Sequence, residues 1–245
     1  MATVVFAPGF MQHGDAWAPV ADRVRERYPT ICLDFRSHSF EARLAEIAAA
    51  IEPGDALVGY SMGGRLALRH ALRHPSSLCA LVLVGAGAGI EDEKEREARA
   101  RRDEELAAWM ERVTIDEVVD RWQSQPVFAT QSPELVEAQH AGRQAHDPRW
   151  LAVLLRSAGQ GAVAPVWDRL SDLGDLPLLA VAGALDERYA AQASQLAELA
   201  PRGQARTIHG AGHAAHLERP DEFAGLLLEF LDEHLGQGGV VDRDA

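Results

Sequence analysis

Short apolar runs of strand length alternate along this chain with longer stretches in which apolar residues recur at helical spacing. The strand signal falls at Thr3 to Ala7, Thr30 to Asp34, Ala56 to Gly59, Ala80 to Val84, Leu178 to Ala182 and Ala205 to Ile208. Strand and helix in alternation predict an α/β fold with a parallel, doubly wound sheet of about six strands. The first run begins almost at the initiator methionine, so no antiparallel hairpin is expected ahead of it. Between the fourth and fifth runs the alternation lapses for roughly ninety residues, far longer than a connecting helix requires. A helical lid over residues 86–170, inserted between core segments 1–85 and 171–235, accounts for the gap. It is expected to open with the charged stretch Glu91 to Arg102, continue through Trp109-Met110 and Val118-Val119, and turn at Gln125-Pro126. Most of those charges read as a solvated helix face with Glu and Arg pairing at turn spacing. The tail from Gly236 to Ala245 is expected to be disordered.

Composition narrows the partners. With 245 residues, 47% of them hydrophobic, the chain can bury one sizeable core. A net charge of -13 disfavours nucleic acid and anionic membrane surfaces, and it requires local cations wherever an anion binds. Cys32 and Cys79 fall in apolar runs, which predicts two buried free thiols in a reducing compartment. No basic leader and no run of membrane-spanning length is visible, so the expectation is a cytoplasmic protein, a monomer or small homo-oligomer without membrane insertion.

The chemistry is concentrated in Gly59-Tyr60-Ser61-Met62-Gly63, which follows an apolar run and precedes an amphipathic helical stretch. Strand, turn and helix in that order make a nucleophile elbow, where glycines two residues either side of the serine let strand and helix pass closely. A serine hydroxyl needs a histidine to take its proton and a carboxylate to orient that histidine. Asp186 lies just past the Leu178 to Gly183 run, and His213 follows the Ala205 to Ile208 run in a glycine-rich loop. Serine, aspartate, histidine is the chain order of α/β-hydrolases and differs from the chymotrypsin and subtilisin orders.

Three other motifs compete and lose. Gly85-Ala86-Gly87-Ala88-Gly89-Ile90 imitates a dinucleotide loop, but Ile90 stands where a third glycine belongs and acids follow, so it reads as a flexible entrance to the lid. His209, His213 and His216 have usable metal spacing without a carboxylate or cysteine cluster, and no metal is expected. His70 and His74 share one helical face before Pro75, where interaction with the helix C-terminus suffices to explain them.

The stretches Val58 to Arg65, Arg121-Trp122-Gln123-Ser124-Gln125-Pro126-Val127-Phe128 and Ala211 to Glu218 together resemble the 2-succinyl-6-hydroxy-2,4-cyclohexadiene-1-carboxylate synthases of menaquinone biosynthesis. The resemblance implies a lyase on an α/β-hydrolase fold, needing no cofactor, in which Ser61 is a base, His213 accepts its proton and Asp186 orients the imidazole. It further implies an oxyanion hole from the Phe10 and Met62 N–H groups, substrate-binding arginines at Arg65, Arg99 and Arg143, and pocket walls at Tyr60 and Trp122. Independently, Arg65 lies one helical turn beyond Ser61, and a guanidinium suits bidentate carboxylate binding. The substrate is expected to be a small anion. Three departures from the family pattern stand out: Pro8-Gly9 in place of His-Gly, the altered loop Asp34 to Ser39, and Gln123 in place of a tyrosine. An esterase or C–C bond hydrolase using an acyl-enzyme would employ the same triad, and a non-enzymatic binding module is a third reading.

Overall fold

The computed structural model describes residues 2–235, so the tail from 236 to 245 lies outside the described residues. Its strands are β1 (Val4–Ala7), β2 (Thr30–Cys32), β3 (Asp55–Tyr60), β4 (Leu78–Val84), β5 (Leu178–Gly183) and β6 (Gly203–Ile208). They pair in parallel in the order β2-β1-β3-β4-β5-β6, as one sheet. Most strands run a residue or two beyond their apolar runs. β2 is shorter than expected: past Cys32 the chain turns, and Asp34 Oδ1 accepts from Gly14 N at 2.6 Å.

Helices cover both faces, which is why β1, β3 and β5 are buried at every position. Alternate strand residues feed two cores. Val5, Leu57 and Leu81 pack toward α2 (Phe40–Ala50), α3 (Met62–Arg73) and α8 (Glu187–Leu199). Phe6, Val58 and Val82 pack toward α1 (Ala18–Arg25) and α10 (Pro220–Leu235), and α9 (Ala215–Glu218) closes the same face.

Between β4 and β5 stand α4 (Glu93–Met110), α5 (Ile115–Gln123), α6 (Pro133–Gln144) and α7 (Pro148–Ala158). Each begins where a side chain caps free N–H groups: Asp92, Thr114 in a capping box with Glu117, Ser132 and Asp147. Ala107, Met110, Val118, Leu151 and Leu155 give α4, α5 and α7 a shared core. The polar face of α4 is tied down by Arg156, which pairs with Glu104 and Glu111. Among the described residues no helix is long and apolar enough to cross a membrane.

Three local expectations change. Cys32 and Cys79 are free but only half-buried, because one sits on an edge strand and the other at the start of β4, ahead of its pairing with β5. The Gly85 to Ile90 segment is a packed loop: Val166 N donates to Ala88 O at 2.8 Å and Trp167 Nε1 to Gly89 O at 2.8 Å. His70 is buried, which pushes its pKa down to about 4, so a neutral ring meets Ser77 Oγ and supplies no charge to the helix end.

Candidate active site

Ser61 sits between β3 and α3 with φ at +50°, a left-handed conformation that a non-glycine residue adopts only under constraint. The constraint is close packing. A Cβ at Gly59 would strike the Gly63 carbonyl, and one at Gly63 would strike the Ala7 carbonyl, so strand and helix approach only through glycines. Ser61 N donates to Val84 O at 2.8 Å and fixes the turn to the neighbouring strand.

His213 Nε2 lies 3.2 Å from Ser61 Oγ, and its Nδ1 lies 2.8 Å from Asp186 Oδ2. With Nδ1–H donating to the carboxylate, Nε2 is left to accept the serine proton. Asp186 is held in turn: it caps α8, with Oδ1 accepting from Tyr189 N at 3.3 Å. The His213 loop is cradled by Glu218, whose carboxylate accepts from Gly212 N at 2.8 Å and Ala214 N at 3.1 Å.

Ser61, Asp186, His213, Phe10, Met62, Tyr60, Arg65, Arg99, Trp122 and Arg143 all border one cavity of about 540 Å³. Met62 is the first residue of α3, where helix N–H groups have no partner within the helix. Burial raises the Tyr60 hydroxyl well above its usual range, so it stays protonated and able to donate. Trp122 packs against Phe10 with centroids 4.9 Å apart and ring planes tilted by 49°, and forms one wall with Phe128. Gln123 turns away toward the Val136 carbonyl and does not line the cavity.

The arginines differ in how they are held. Arg143 is 2% exposed, and only its Nη2 is bonded, to Gln139 Oε1 at 2.9 Å; Nε and Nη1 are buried without partners. Arg65 donates from Nη1 to the Ala158 carbonyl at 2.7 Å, and burial lowers its pKa to about 10, which leaves it charged at neutral pH. Neither forms an ion pair among the described residues, whereas Arg99 Nε is paired with the buried Asp103 at 2.8 Å. Buried guanidinium groups with free donors are costly, and a carboxylate ligand offsets that cost with charge-assisted bonds.

Residues with no role in the sequence reasoning also enter. Tyr189 packs 4.6 Å from the His213 ring and accepts at its hydroxyl from Gln160 Nε2 at 2.7 Å. Gln12, Gln160 and Arg188 line the cavity with them. No local pattern marks these positions; only the fold brings them to the triad. His216, weighed as a metal ligand, is wholly buried between the rings of Trp17 and Tyr60, and burial pushes it down to about 3.

Elbow, triad geometry and sheet order together define a class. The chain belongs to the alpha/beta hydrolase family, whose model matches residues 4–226. It is 31% identical over 242 residues, 93% of this chain and 91% of the relative, to the 2-succinyl-6-hydroxy-2,4-cyclohexadiene-1-carboxylate synthase of Enterobacter sp. (strain 638). A Bacillus subtilis (strain 168) protein, provisionally described as the same synthase, is 32% identical over 178 residues, 71% of this chain and 65% of that protein. The solved structure of MenH from S. aureus superposes with a TM-score of 0.89 at 27% identity, covering 96% of this chain and 94% of that one.

Proposed function

We propose that the chain is a carbon–oxygen lyase that eliminates pyruvate from 2-succinyl-5-enolpyruvyl-6-hydroxy-3-cyclohexene-1-carboxylate, giving 2-succinyl-6-hydroxy-2,4-cyclohexadiene-1-carboxylate in menaquinone biosynthesis. The observation that carries this reading is a pair of arginines, Arg143 buried and Arg65 half-buried, without carboxylate partners beside a serine–histidine pair. A neutral ester would leave those charges unmatched; a polycarboxylate satisfies them.

In this mechanism Ser61 gives its proton to His213 Nε2, and Asp186 stabilises the resulting imidazolium. Ser61 Oγ then removes a ring proton from the substrate. The freed electron pair forms a C2–C3 double bond, the existing C3–C4 double bond shifts to C4–C5, the C5–O bond to the enolpyruvyl group breaks, and the departing enolate takes a proton back from the Ser61–His213 pair to become pyruvate. On this reading the Phe10 and Met62 N–H groups, with the Tyr60 hydroxyl on the same cavity, stabilise negative charge developing on the substrate. Arg65, Arg99 and Arg143 hold its carboxylates, and Trp122 closes the wall. Water is not a reactant, so α4 to α7 serve as a lid. Free thiols at Cys32 and Cys79 fit a cytoplasmic enzyme, working as a monomer or small homo-oligomer.

The test is turnover of the enolpyruvyl substrate. Pyruvate and near-ultraviolet absorbance from the conjugated diene should rise together, without solvent oxygen in either product. Efficient cleavage of neutral esters with a burst of leaving group, and no pyruvate, overturns the lyase in favour of a hydrolase.

A further inference from the structure

Four consecutive residues after β1 are held by four different contacts. Phe10 packs on Trp122, Met11 is 2% exposed, Gln12 accepts from Gly9 N at 3.0 Å, and the His13 ring stacks on that of His146 with centroids 4.2 Å apart and planes 4° apart. Met11 has φ at +58°; with Ser61 it is one of two non-glycine residues in that region among the described residues. Strain of this kind persists only where the surroundings over-determine it.

Two contacts constrain Met11 and the nearby His13, and both come from the inserted segment. The Met11 side chain is buried with Met110, Val118 and Leu155, in the core shared by α4, α5 and α7. The ring of His146, just beyond α6, carries the His13 stack. The β1 loop that supplies the Phe10 N–H is thereby fixed from across the cavity.

We propose that His146 is a positioning residue: by stacking on His13, next to the Met11 side chain packed in the helical core, it holds the Phe10–His13 loop in the strained form that presents the Phe10 N–H to the cavity. Docking of the helices and assembly of the anion-stabilising site are then one event, since Arg143 lies three residues before His146. This inference rests on the oxyanion role given to Phe10 above.

The test compares His146→Ala with His146→Phe, whose flat ring can keep the stack on His13. Expected in His146→Ala are a 10- to 100-fold fall in kcat, KM within about threefold, and faster hydrogen exchange at residues 10–14 with exchange in β3 and α3 unchanged. His146→Phe should recover at least about a third of wild-type kcat and slow that exchange again. A kcat within about twofold of wild type in His146→Ala, unchanged exchange at residues 10–14, or equal impairment in both variants overturns the proposal. Failure of the wild type to release pyruvate would sink the lyase reading alone, because the exchange comparison needs no substrate.

Discussion

The two walls of the cavity are built by opposite means. On the sheet wall, Ser61, Asp186 and His213 each follow the C-terminal end of a strand, and glycines at 59, 63 and 183 let backbone pack against backbone. On the helical wall, Arg99, Trp122 and Arg143 project from α4, α5 and α6, one to a helix. Proton transfer tolerates little error in distance, so it is carried by strand ends that the sheet's hydrogen bonds hold in register. On the proposed function, anion recognition falls to long side chains on the inserted helices. The difference then teaches that one sheet wall can serve lyase or hydrolase chemistry while the helical wall would select the substrate.

The largest effect should come from the sheet wall. Ser61→Ala and His213→Ala are each expected to lower kcat by about a thousandfold or more while the fold and substrate affinity persist, because these groups act as a unit. Rates within tenfold of wild type in either variant would break the assignment. Acid should strain both walls at once. His216 under the sheet wall, His146 behind the helical wall and His70 in α3 have folded pKa values of about 3, about 4 and about 4, all below the unfolded value. The unfolded state therefore binds more protons below about pH 6.5, and stability present above that pH is lost as pH falls toward 4. Unfolding free energy measured by denaturant should drop by at least about 3 kcal/mol between pH 7 and pH 4.5. A flat profile would mean these rings are hydrated.

On the helical wall, Arg143→Ala should raise KM by about 10- to 100-fold with a smaller change in kcat, the worth of a buried charge-assisted pair. Arg65→Lys, on α3 beside the sheet wall, should raise KM by roughly tenfold, since lysine keeps the charge but not the planar fork. The smallest change is expected at Arg99→Lys, about threefold in KM, because Asp103 already neutralises that charge. A ranking with Arg99 above Arg143 would show that Asp103 releases its partner when substrate arrives.

The sheet wall was legible in advance because its determinants are local. Strand runs, the Gly59 to Gly63 elbow and the order Ser61, Asp186, His213 are patterns of neighbouring residues and of sequence order. Arg65 could be reasoned from its spacing to Ser61, while Arg99, Arg143 and Trp122 came through resemblance. Tyr189 against His213, Glu218 under the His213 loop and Asp103 against Arg99 had no comparable signal, since a packing contact is defined by what lies opposite. The His70 expectation failed for the same reason: helix position suggested a charge, and burial removed it.

By itself, then, the sequence determined the alternation of strand and helix, the glycines that permit the elbow and the residue types able to move a proton, because steric and periodic rules act over a few residues. Only the tertiary structure decided which charges would be left unpaired. Arg143 and Arg99 are the same side chain on two of the inserted helices, α6 and α4. One is buried with two free nitrogens and the other is spent on Asp103, because desolvation and pairing depend on the whole surrounding shell.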